Sequence, residues 1–210
     1  MLEAFVHLYL GHLFGDYVLQ FSWIAENKAK RKGVLISHAL LVYLSQIAFS
    51  LGYGFRALHL LLITVVGITH YFFDLLKLNK GNSSWKWYLL DQFFHLITIL
   101  AVMAFFTDIR FFVPEGIAEK LMLTIFNAYF LSFLGYFAFE SGKLYNRDWI
   151  GYITRGALPW TGNWLYMIAI YIVEILRNFL KRNEKSTIKN NILTASLALL
   201  STIIWEVLVW

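Results

Sequence analysis

Cysteine is absent from this 210-residue chain, and proline occurs only twice. The first absence removes disulfides, thiolate metal ligands and cysteine nucleophiles, so any metal site must use nitrogen and oxygen donors. The second removes Pro-rich linkers between soluble domains, and no Ser-rich or repetitive stretch replaces them. Charge is scarce too. Asp, Glu, Lys and Arg make up 15% of the chain, against about 25% in a soluble domain. Hydrophobic residues make up 59% and aromatic residues 19%, with a mean hydropathy of +0.60, and this composition is that of a membrane protein. Also missing are a Gly-rich phosphate loop, a G-x-S-x-G elbow, an H-E-x-x-H zinc motif and any strand-rich segment. Nothing supports nucleotide or nucleic-acid binding, because the net charge of +5 comes from short basic clusters between apolar runs.

What is present is a series of long apolar runs. A spanning helix needs about 20 mostly apolar residues, and runs near 2–24, 33–52, 57–78, 87–107, 118–140, 159–180 and 191–210 satisfy this. The expected fold is an all-α, polytopic bundle of six or seven transmembrane helices. It forms a single membrane-embedded domain, 1–210, with a four-helix half over 1–107 and a second helical half over 108–210. The first run has Glu3 and no basic leader, so it reads as a retained span and not a signal peptide. Basic residues at Lys28, Lys30, Arg31 and Lys32, and again at Lys77, Lys80 and Lys86, put the first and third loops in the cytoplasm and the N-terminus outside. Lys181, Arg182, Lys185 and Lys189 conflict with simple alternation beyond residue 140, and a re-entrant segment within 149–180 would resolve the conflict.

Four polar signatures interrupt the first four runs: His12-Leu-Phe-Gly-Asp16, Ser37-His38, His70-Tyr-Phe-Phe-Asp74 and Asp91-Gln-Phe-Phe-His95. Three are His/Asp pairs at i, i+4, a spacing that puts both side chains on one helix face. Ionisable groups are costly in lipid, so their presence there is a sign of function. With the topology above, His12, Asp16, His38, His70, Asp74, Asp91 and His95 all fall in one band toward the cytoplasmic side. Gln20 extends the first stripe, and Lys77 and Gln92 lie near the same height as outer partners. Gly11 and Gly15 would let a neighbouring helix come close. His7 and His59 lie toward the outer side and are excluded from the site.

Imidazole and carboxylate donors suit a divalent transition metal, with zinc the simplest case and iron or manganese as alternatives. With a metal bound, His12, His70 and His95 with Asp16 or Asp91 hold the ion, and the remaining carboxylate orients or deprotonates a water. Asp16 and Asp91 are therefore the candidate catalytic residues. His38 has no i+4 carboxylate and Asp74 has Lys77 at i+3, so a structural histidine and an ordinary ion pair compete with ligand roles there. The same cluster also suits a metal-free proton or ion pathway, or hydrogen-bonded polar glue between helices.

The second half says less. Glu174 precedes Arg177 at i+3 and reads as a self-neutralising pair. Glu140, Lys143, Arg147, Asp148 and Arg155 read as a solvated mixed-charge loop, and Trp85, Trp87, Trp160, Trp164 and Trp210 as interfacial belt residues.

The ordered set His12-Leu-Phe-Gly-Asp-Tyr-Val-Leu-Gln20, Asn27-Lys28, His38, His70-Tyr-Phe-Phe-Asp-Leu-Leu-Lys77 and Leu90-Asp-Gln-Phe-Phe-His95 resembles a bacterial integral-membrane family of unknown function. The resemblance covers about the first hundred residues and implies a multi-pass protein of the bacterial cytoplasmic membrane. More distantly, His/Asp pairs in membrane helices are similar to those of inner-membrane metal-dependent hydrolases. The expected function is a metal-dependent membrane hydrolase acting on a lipid or other amphipathic substrate. The alternatives are a metal-ion or proton transporter and a non-enzymatic membrane subunit.

Overall fold

The computed structural model describes residues 1–81, 84–140, 148–180 and 185–209, without the side chains of 81, 140, 178, 179, 185 and 186. Lys143, Arg147, Lys181, Arg182, Trp210 and the side chains of Glu140 and Lys185 therefore lie outside the described residues. The rest is almost wholly helical, as the apolar runs require. In lipid, a helix satisfies its own backbone polar groups.

Four helices are long and apolar enough to cross a membrane among the described residues: Lys32–Ser50, Ala57–Lys80, Glu115–Phe139 and Thr187–Val209. The remaining expected spans are weaker. The first helix, α1 (Leu2–Leu13), passes into a π-helical stretch over Phe14–Val18 and stops. The helix α2 (Ser22–Asn27) follows only after Phe21 turns to an extended conformation, so the expected span 2–24 is broken near its end. The fourth run forms α5 (Trp85–Met103), 19 residues long, but it carries Lys86, Asp91, Gln92 and His95. The run at 159–180 gives a helix of 17 residues, Trp164–Leu180.

The described residues group into two compact units, one of Met1–Asn82 with Lys86–Met122 and the other of Ser83–Trp85 with Leu123–Trp210. In the first unit, α1 packs on α3 (Lys32–Ser50), and α3 packs on α4 (Ala57–Gly81). Gly11 and Gly15 permit the first contact. A Cβ on Gly11 would lie 2.6 Å from Cα of Gln46, and one on Gly15 would lie 2.5 Å from Cα of Val42. The backbones thus meet with no side chain between them. Ala4, Leu8, Ile63, Val66, Ile99 and Val102 form an apolar core at the end of the bundle away from the polar signatures. That end is closed by a two-strand antiparallel ribbon, β1 (Gly52–Tyr53) against β2 (Arg110–Phe111). Gly54 follows β1 with φ of +90°, a conformation open to glycine and strained for other residues.

The second unit takes over the helix that begins at Glu115 as α6 (Glu115–Ile125), which runs on through a π-helical stretch, α7 (Leu131–Gly135) and a second π-helical stretch. It also contains α8 (Trp149–Ala157), α9 (Trp164–Leu180) and α10 (Lys185–Val209). Pro159 sits in a single 3₁₀ turn after α8, where the missing N–H costs little.

Candidate metal centre

The seven candidate ligands come from separate elements of the first unit. The helix α1 carries His12, the π-helical stretch Asp16, α3 His38, α4 both His70 and Asp74, and α5 both Asp91 and His95. All seven are buried, none more than 5% exposed.

His38 is where they converge. Its Nε2 lies 3.1 Å from Asp16 Oδ1, 3.2 Å from Asp74 Oδ2 and 3.4 Å from His70 Nε2. His70 Nε2 is in turn 3.9 Å from the same oxygen of Asp74. One ring nitrogen carries at most one hydrogen, so it cannot serve three acceptors at once. A cation can. Tetrahedral zinc with bonds of about 2.0–2.1 Å places its ligands about 3.3–3.4 Å apart, close to the spacing of these atoms. Two groups of buried donors are close enough together to hold an ion, Asp16/His38/His70 and His70/Asp74/His95.

The residue that lacks an i+4 carboxylate is thus the hub, and helix-local pairing explains less than the sequence suggests. Asp16 reaches His38 on α3 and accepts a hydrogen bond from Gln92 Nε2 on α5 at 3.0 Å. His12 does not pair with it, and both nitrogens of His12 are buried with no hydrogen-bond partner. The π-helical stretch that starts at Phe14 changes the residues per turn between them. His12 instead stacks near His95 and His70, with ring centroids 4.9 Å and 5.4 Å away. The Asp91/His95 pair keeps its expected local contact, Oδ1 to Nε2, at 3.2 Å.

The lysines exchange the roles their spacing suggests. Lys77 donates to Asp91 Oδ2 across to α5 at 2.8 Å, so Asp91 has an adjacent cation after all and Asp74 is not the i+3 partner. Asp74 is neutralised by Lys28, which is only 8% exposed and donates to Oδ2 at 2.9 Å. Sequence reasoning missed Lys28 by assigning it to a basic loop. Its membership, with Asn27, of the motif set that carries the family resemblance, apart from the exposed Lys30–Lys32 cluster, is the signal that separates it. Gln20 lies beyond the helix end at Val18, so it does not continue the α1 stripe. Its Oε1 is nonetheless buried without a partner.

Among the described residues, three buried carboxylates, Asp16, Asp74 and Asp91, therefore face one buried ammonium group, Lys28, and one partly buried, Lys77. Beside Asp91 a cleft lined by Leu76, Lys77, Trp87 and Phe94 encloses about 10 Å³, roughly the room one water needs.

The excluded histidines are accounted for structurally. His59 Nδ1 accepts from the Arg56 N–H and Nε2 donates to Phe105 O at 3.0 Å. The ring nitrogens of His7 lie 2.8 Å from the carbonyls of Glu3 and Val113. Two neutral groups were also missed. Gln46 and Ser50 of α3 are fully buried, and neither Gln46 amide atom nor the Ser50 hydroxyl has a partner.

In the second unit the placement of Arg155 in a solvated loop and the self-paired glutamate are corrected. Arg155 lies in α8, 2% exposed, and donates to Glu174 Oε1 at 2.6 Å and to Ser132 Oγ at 2.7 Å. Arg177 lies 3.9 Å from Glu174 and forms a bidentate pair with Asp148, both contacts at 2.6 Å. Antiparallel packing of α8 and α9 offers Glu174 a better-aligned cation than its own helix does.

Fold and site together define a helical, membrane-type protein with buried His/Asp groups that could bind a metal. Residues 4–120, which include every member of the centre, match the family model described as protein of unknown function (DUF3307), and the chain belongs to that family. No curated protein and no solved structure matches the chain, and the likeness to metal-dependent membrane hydrolases has no counterpart in these comparisons.

Proposed function

We propose that the chain is a membrane-embedded, metal-dependent hydrolase of the bacterial cytoplasmic membrane acting on a lipid or other amphipathic substrate. The observation that carries this reading is the convergence of Asp16, Asp74 and His70 on His38 Nε2. In the proposed roles Asp16, His38 and His70, which lie close enough together to hold one ion, bind a divalent metal, with the fourth tetrahedral position of zinc left to water; Asp74, held by Lys28, flanks the ion. His12 and His95 stand beside it. Such an ion supplies Lewis acidity and lowers the pKa of water. Asp91 is the general base: Lys77 and Gln92 hold Oδ2, and Oδ1, which faces His95 Nε2 at 3.2 Å, takes a proton from a water in the adjoining cleft. The basic loops on this side support a centre facing the cytoplasm.

The test is hydrolysis of fluorogenic phosphoester and carboxylic-ester lipid analogues by the purified protein. Activity lost on chelation, restored by zinc and absent in Asp91→Asn supports the reading. Activity indifferent to chelation, or none with metal bound, sinks it.

One observation favours a second reading, translocation of a metal ion or proton. Gln46 and Ser50 extend buried, unpartnered polarity along α3 beyond His38, and a conduction path needs polar groups outside the centre. Uptake of divalent metal or protons into liposomes, abolished by His70→Ala and reduced by Gln46→Leu, would reverse the ranking.

A further inference from the structure

A groove of about 510 Å³ runs between α3 and α4, on the faces of two membrane-crossing helices. It exists because its floor is made of small residues, Ala39 and Gly67. A Cβ on Gly67 would already lie 3.0 Å from the Tyr43 ring. The walls are apolar, with Ile36, Leu40 and Ile68 each more than half exposed.

The two ends differ. At one end the hydroxyls of Thr64 and Tyr43 bond to each other at 3.2 Å, and Thr64 also donates to Leu60 O; the cation on this side, exposed Arg56, stands two turns beyond Thr64. At the other end the lining stops at Ile36, and Lys32, the first residue of α3, lies one helical turn beyond it. The spacing Lys32, Ile36, Leu40, Tyr43 keeps all four on one helix face. Lys32 is exposed, has no ion pair among the described residues and adjoins the exposed Lys30 and Arg31. An apolar groove with exposed cations one helical turn beyond its end matches one ligand chemistry: an acyl chain joined to an anionic headgroup.

We infer that this groove binds an anionic phospholipid, with an acyl chain lying against Ala39 and Gly67 and its phosphate at Lys32. The site is separate from the metal centre, which faces the bundle interior from His38 and His70.

Native mass spectrometry of the full-length protein, delipidated and titrated with dioleoyl phosphatidylglycerol or dioleoyl phosphatidylcholine, tests this without metal. The wild type should retain phosphatidylglycerol in preference to phosphatidylcholine. Lys32→Gln should weaken phosphatidylglycerol about fivefold, the share of one basic residue at an anionic surface, and leave phosphatidylcholine unchanged. Ile68→Trp, an exposed position that can take the larger ring without entering the core, should reduce retention of both. Equal retention of the two lipids by the wild type would overturn the inference. So would phosphatidylglycerol retention unaffected by either variant, or a dimer mass that disappears in Ile68→Trp, which would put a second copy of the chain in the groove.

Discussion

The two units each bury a cluster of charged side chains, and among the described residues the clusters differ in charge balance. In the second unit Arg155 and Arg177 face Glu174 and Asp148, cation matching anion, with Ser132, Thr154 and Thr194 taking further hydrogen bonds. In the first, three carboxylates face two lysines, and ring nitrogens of His12, His38 and His70 remain without hydrogen-bond partners. The first pattern is that of polar residues tying helices together. The second asks for a cation. Buried charge in a membrane helix is therefore a poor guide to function until its balance is known.

The comparison breaks most visibly at Arg155. Arg155→Met removes the cation closest to buried Glu174, with Thr154 and the more distant Arg177 still beside it, and should destabilise the protein by about 3–5 kcal/mol, read as a lowered unfolding midpoint. The double variant with Glu174→Leu should recover most of that loss, and neither should alter metal content. In the first unit, Gly15→Ala drives a methyl into the α3 backbone and should cost about 1–3 kcal/mol. Because Gly15 adjoins Asp16, the same variant should also weaken metal binding, a coupling that metal titration would detect. Gln92→Leu removes the hydrogen bond that orients Asp16 and should weaken metal affinity about 10- to 100-fold with little change in folding.

The smallest effect belongs to the partly exposed Asp148/Arg177 pair. Burial alone would raise the Asp148 carboxyl, but the Arg177 guanidinium outweighs it and holds the group below the usual carboxylate range. That contribution is complete at neutral pH and is lost only as pH falls through the lowered value. Asp148→Asn should cost less than about 1 kcal/mol at neutral pH and flatten the acid limb of the unfolding profile. A large loss at neutral pH would show that the pair is more deeply coupled to Glu174 than its geometry indicates.

Much of the first unit was legible in the sequence because i, i+4 spacing and apolar runs both follow from helix geometry. The close approach at Gly11 and Gly15 was equally readable. What spacing could not supply was partnership across helices. Lys28 reaches Asp74 from a loop, and Lys77 passes over its own-helix neighbour to Asp91, because a long ammonium side chain selects the nearest buried carboxylate in space. His38 looked weakest for want of a local partner, yet its partners all come from other elements. The π-helical stretch at Phe14–Val18 shifted Asp16 away from His12 and ended the helix before Gln20, and no residue in that run announces it. Gln46 and Ser50 escaped notice because neutral polar residues scarcely disturb an apolar pattern.

The central claim is that the imbalance around His38 is a cation site. Elemental analysis of the purified protein, wild type beside His38→Ala and Arg155→Met/Glu174→Leu, tests it most directly. The account predicts stoichiometric transition metal in the wild type and in the second-unit variant, and its loss from His38→Ala. Absence of metal from wild type reconstituted with zinc, or metal content unchanged in His38→Ala, would contradict it.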